Sequence, residues 1–103
     1  MENKERKIQE IQILEQSLQN LLLQKQAFQM EISETTAAKR EIEKAGDGVF
    51  KIIGQLMIKS DKSKVKEELS NKERLLDLRI KSFEKQEAVF LEKIDSLKKE
   101  ILG

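Results

Sequence analysis

Apolar residues in this chain recur at alternating three- and four-residue steps over two long stretches. Between them lies a short block in which the period changes. In the first stretch, Ile11, Leu18, Lys25, Ile32 and Lys39 fall at one seam position of a heptad. Leu14, Leu21, Phe28, Thr35 and Ile42 fall at the other. A seam sustained over several heptads is the signature of a coiled coil. The pattern predicts a helix over residues 3–45, with Gly46 standing where a helix C-cap is expected. The second stretch predicts a helix over residues 62–102. Its seam is Leu69, Leu76, Phe83, Phe90 and Leu97 at one position and Lys66, Glu73, Ile80, Glu87, Ile94 and Ile101 at the other. Asp61 or Ser63 can cap its start.

The connector, residues 46–61, reads differently. Val49-Phe50-Lys51-Ile52-Ile53 and Leu56-Met57-Ile58-Lys59 are rich in strand-forming residues. Gly54-Gln55 between them suits a two-residue hairpin turn of type II′, whose first central position favours glycine. Gly46, Gly48 and Gly54 argue against a buried helical segment here.

Two helices of about 40 residues, each about 60 Å long, joined by a short connector favour an antiparallel pair. The expected architecture is mainly α, a single domain over 1–103. It is a long antiparallel two-helix coiled coil with one β-hairpin at the bend. Antiparallel register places Ile11 opposite Leu97, Leu18 opposite Phe90, Ile32 opposite Leu76 and Thr35 opposite Glu73. Lys25 and Glu87 then occupy adjacent layers, each facing an apolar residue, and can pair diagonally to fix the register. The hairpin carries Val49, Phe50, Ile52, Ile53, Leu56, Met57 and Ile58 around Gly54. Two strands cannot bury that set alone, so pairing with other hairpins through the open edges is expected.

Composition supports helices rather than a globular core. Charged residues make up 38% of the chain, 20 basic against 19 acidic, and proline is absent. A net charge of +1 argues against nucleic acid as a partner, because neutralising phosphates needs a concentrated basic surface. The cluster Lys59, Lys62, Lys64 and Lys66 reads as a solvated helix start. No run approaches the about 18 apolar residues of a membrane span, so no membrane partner is expected. Met1 to Lys7 is too charged for a signal peptide. With no cysteine either, a cytoplasmic protein is expected.

The chain has no His, Cys, Tyr or Trp. Imidazole-based triads and His/Cys metal sites are therefore closed to it, and no phosphate-binding loop occurs. No enzyme activity, catalytic residue, metal or cofactor is expected. What is left is surface. Ile8, Ile11, Leu14, Ile94, Leu97, Ile101 and Leu102 cluster at the free ends of the helices. Helix ends fray, and fraying there would bare seam residues to anything that binds exposed apolar surface. Ile8 and Leu102 of that cluster, with Ile13, Leu22, Leu23, Met30, Leu75, Leu78, Val89 and Leu91, fall outside the seam, as scattered surface apolars do in any protein. From the residues alone, a structural coiled-coil adaptor or spacer is one reading, although it has no use for an apolar hairpin.

The stretch from Val49 to Lys59, VFKIIGQLMIK, resembles the hairpin of prefoldin β-type subunits, archaeal ones in particular. Leu23 to Thr35 is similar to the middle of that family's first helix, and Leu78 to Glu87 to its second. Many relatives carry Gly-Pro at the turn where this chain has Gly54-Gln55. One hairpin rather than two points to the β class. The resemblance implies a hetero-hexamer of two α-type and four β-type subunits whose hairpins form a β-barrel platform. It further implies an ATP-independent holdase whose coiled-coil tips bind unfolded polypeptides and deliver them to a group II chaperonin. On this chain the platform role falls on residues 49–59 and the client role on the helix-end cluster, with Lys98, Lys99 and Glu100 as chaperonin-contact candidates.

Overall fold

The computed structural model describes residues 2–46, 49–53 and 55–103, with backbone only for Glu2, Ile52 and Ile53. The order of elements is α1 (Glu2–Lys44), β1 (Val49–Ile53), β2 (Leu56–Ser60) and α2 (Lys62–Leu102). The lengths follow from composition. Glu, Lys, Gln and Leu lose little on entering a helix, and no proline interrupts either segment.

The chain divides into two compact units. The first comprises the chain up to Ala27 together with Arg79–Gly103. Here the early part of α1 runs antiparallel to the late part of α2. Lys7 pairs with Glu100 at 3.3 Å, Glu15 with Lys98 at 3.7 Å and Lys25 with Glu87 at 3.1 Å. Ile11, Leu21, Ile80, Phe83 and Ile94 are its buried apolar residues, all of them at predicted seam positions. The Arg79 guanidinium lies 5.4 Å from the centre of the Phe83 ring, a cation–π distance. Lys25 Nζ donates to Glu87 Oε2, the diagonal pairing expected from the heptads.

The second unit, Phe28–Leu78, holds the turn of the chain. Leu76 and Thr35 are buried seam residues, and the Thr35 hydroxyl donates to the Glu31 carbonyl of the preceding turn at 2.8 Å. The heptads place Thr35 opposite Glu73. The adjacent Thr36 hydroxyl donates to Glu73 Oε2 at 2.9 Å, and Lys39 approaches Oε1 at 3.8 Å, so the register holds at this layer. Lys66 departs from the seam. It is exposed, because its long side chain turns out to meet Glu43 at 3.4 Å.

Between the helices, β1 and β2 form an antiparallel ladder from Val49↔Ser60 to Ile53↔Leu56. That register leaves a two-residue connection at Gly54-Gln55, as expected. Gly54 itself, and hence the turn type, lies outside the described residues, as do Asp47 and Gly48. Asp61 caps α2: the Ser63 backbone N–H and hydroxyl both donate to its Oδ1 at 3.2 Å. The end of α1 departs from expectation. Gly46 does not adopt the left-handed backbone of a glycine C-cap. Instead Lys62 Nζ, at the start of α2, donates to the carbonyls of Ala45 at 2.8 Å and Glu43 at 3.4 Å. A cation at a helix C-terminus satisfies orphan carbonyls and the helix dipole together.

Candidate interaction surfaces

The hairpin is the first candidate. Alternation along a strand puts Phe50 and Met57 on one face and Val49, Leu56 and Ile58 on the other. Val49 is buried. It sits on the rung with Ser60, directly before the Asp61 cap, where the ladder meets the helix ends. Two rungs further, on the same face, Lys51 reaches Glu68 of α2 at 2.7 Å and ties that face to the first turns of the helix. The rest of the described apolar side chains of the ladder lack cover. Phe50, Leu56, Met57 and Ile58 are all exposed, Leu56 and Met57 by about two thirds (68% and 67%). Apolar side chains therefore project from both faces of a two-stranded sheet that also has two unpaired edges. Of the eight hairpin residues singled out in the sequence, four form this exposed set and Val49 is internal packing. The side chains of Ile52 and Ile53, and Gly54 as a whole, lie outside the described residues.

The helix ends are the second candidate. The structure closes the seam there. Ile11 and Ile94 are buried, Leu14, Leu97 and Ile101 are half-buried, and only Ile8 and Leu102 stand in solvent. Leu14 and Leu97 come together with Val89 along a shallow groove rimmed by Glu10, Glu92 and Lys93. The proposed chaperonin-contact residues are engaged within the chain. Lys98 pairs with Glu15, Lys99 with Asp95 at 3.1 Å, and Glu100 with Lys7. Exposed pairs of this kind are worth little and exchange readily.

Two contributors were not visible in the sequence pattern. The Lys51–Glu68 tether joins residues of different periodicity, and Lys62 looked like one lysine in a solvated run. Both depend on how the hairpin sits on the helices. Among the described residues no helix is long and apolar enough to cross a membrane, and no cluster of acidic residues could hold a metal ion.

A family model described as "Prefoldin subunit" matches residues 5–102. Prefoldin subunit beta of Thermococcus onnurineus is 39% identical over 89 residues, covering 84% of this chain and 77% of its own length. Prefoldin subunit beta of Saccharolobus islandicus is 34% identical over 92 residues, covering 87% and 73%. The crystal structure of the prefoldin beta subunit from Thermococcus strain KS-1 superposes with a TM-score of 0.91 at 33% identity, over 95% of this chain and 88% of that one.

Proposed function

The chain belongs to the prefoldin family as a β-type subunit, and on that premise we propose that it works as one arm of an ATP-independent holdase. The hairpin is the assembly surface. It joins α-type subunits and further copies of this chain into a hexamer of two α and four β, edges pairing with edges. The observation that carries this is the exposure of Phe50, Leu56, Met57 and Ile58 on both faces of a sheet with two open edges. Neither an exposed apolar surface of that kind nor an unpaired edge suits an isolated chain.

The helix ends are the client surface. Ile8 and Leu102 offer apolar contact in the closed state. Opening of the last turns, past the Lys7–Glu100 pair, adds Ile101, Leu97, Leu14, Ile11 and Ile94. A holdase needs weak, plural contacts rather than one shaped pocket, and several arms on one platform multiply such contacts into useful avidity. Handing the client to a group II chaperonin needs the arms to let go, which weak contacts allow. A cytoplasmic site of action goes with these partners.

The test has two parts. Mass in solution, alone and mixed with an α-type subunit of the same cell, should move from a small species to a hexamer on mixing. The hexamer should keep an unfolded client from aggregating. A form lacking residues 1–12 and 95–103 should still assemble but lose that protection. A chain that ignores the α-type subunit would favour a coiled-coil spacer, and full protection by the shortened form would overturn the assignment to the ends.

A further inference from the structure

In a chain so rich in charge, residues 16–24 of α1 carry none. The gap is wider on one face. The outward positions of α1 from residue 9 to residue 27 are all exposed and all uncharged. They present the amides of Gln9, Gln12, Gln16, Gln19, Asn20 and Gln26, with Ile13 and Leu23 set among them at 66% and 65% exposure. Shallow hollows follow one another along this surface, one beside Ile13 between Gln9 and Gln16, the next beside Leu23 between Gln19 and Gln26. The outward face of α2 in the same unit is ordinary by comparison, with Lys81, Lys85, Glu92, Asp95 and Lys99 all exposed.

We propose that this uncharged face of α1 is a binding track for extended, low-charge segments of non-native polypeptide. Three features select that occupant. Each Gln or Asn amide offers the same donor and acceptor as a peptide group, and an unfolded segment brings backbone N–H and C=O groups that lack partners. The electrostatic match is between neutral surfaces. Aggregation-prone segments are the low-charge ones, and a charge in the bound chain would lose water here and find a carboxylate only at the edge of the track, where Glu15 borders Gln12, Gln16 and Gln19 and is already paired with Lys98. The track also begins next to Ile8, so it continues the client surface of the helix ends along the arm. A helix of a second copy fits less well. Ile13 and Leu23 lie about 15 Å apart along the axis with only the amides of Gln16, Gln19 and Asn20 between them on this face, and the neighbour of Leu23 within the track is the small Ala27, so no continuous apolar ridge joins the two. An extended chain covers that distance in about five residues.

The inference rests on the holdase reading, and its test separates the two. A photo-crosslinking residue is placed at Gln16, at Lys85 as the charged-face control, and at Leu102 for the helix end, each in the full chain assembled with its α-type subunit. The probes are an uncharged, Val- and Gln-rich peptide of low solubility and the same peptide with Lys and Glu interspersed. Crosslinking at Gln16 to the uncharged peptide, well above that at Lys85 and unchanged by salt, is expected. Ile13→Glu with Leu23→Lys, both fully outward and both compatible with a helix, should weaken peptide binding by about tenfold while leaving Leu102 crosslinks in place. Equal yields at Gln16 and Lys85, or a preference for the charged peptide, would overturn the track. Crosslinks at Leu102 alone would overturn it and leave the holdase intact. No crosslinks at any position would overturn both.

Discussion

The Lys25–Glu87 pair is the strongest test of what holds the first unit in register. Both side chains are mostly buried, 19% and 26% exposed, with Nζ and Oε2 3.1 Å apart. At an effective dielectric of about 20, the attraction is about 5 kcal/mol. Taking the two charges out of water costs several kcal/mol each. The two terms nearly cancel, so the pair adds little net stability while forbidding registers that separate it. Replacing Glu87 by Leu strands an ammonium on the seam. Lysine can reach toward water, and the loss should be about 1 kcal/mol. Replacing Lys25 by Leu strands the shorter carboxylate, at a cost of about 2 kcal/mol. The double replacement removes both charges and buries two aliphatic chains. The stems they replace are already largely covered, so each adds only about 0.5 kcal/mol, for a net gain of about 1 kcal/mol. Tm should then rise by about 4–8 °C. Helix signal at 222 nm followed on heating, for all four chains at one protein concentration, supplies the cycle. Coupling of at least about 2 kcal/mol is expected. Additive single effects, or a double variant that melts below the parent, would refute the account.

Other substitutions probe the remaining elements. Phe83→Ala removes a buried ring that also receives Arg79, and should lower stability by about 3 kcal/mol in urea unfolding, with little change in slope. Asp61→Ala removes the cap on the first turn of α2 and should cost about 1 kcal/mol, whereas Asp61→Asn should cost almost nothing. Phe50→Glu with Leu56→Glu puts charge on both exposed faces of the hairpin. Size-exclusion chromatography with the α-type subunit should find no hexamer, and helix content should be unchanged; normal elution would remove the hairpin from the assembly surface.

What could be read from the sequence depended on how local its cause was. The helices, the ladder and the Asp61 cap are set within a few residues, and they stand where the pattern put them, to within a residue or two. The heptads also gave the diagonal partner of Lys25, because periodicity carries register when polar residues interrupt it at matching layers. The end of α1 went the other way. A glycine after a helix suggests a left-handed cap, but the nearby Lys62 supplies a donor to the carbonyls, and the backbone has no need of that conformation. Val49 shows the same limit, since its burial comes from where the ladder meets the helices rather than from anything in VFKII.

The state of the seam is the part that periodicity cannot carry. A heptad pattern marks Ile11 and Ile94 as facing inward when the helices are together, and it marks the same residues as sticky when they are apart. The structure shows them buried, yet the interior is thin, and no described side chain is completely enclosed. Each layer of a two-helix coil rests on a few side chains. Losing the outermost turns gives up the half-buried Ile101 and the exposed Lys7–Glu100 pair, a small cost beside that of opening the layers of Phe83 and Lys25–Glu87. Partial opening is therefore expected to stop within the first unit, where the buried pair and the aromatic layer resist it. On the proposed reading, a client that occupied the freed residues would offset the cost of separating them. The same sequence would then serve as a closed arm when empty and as an apolar clamp when loaded.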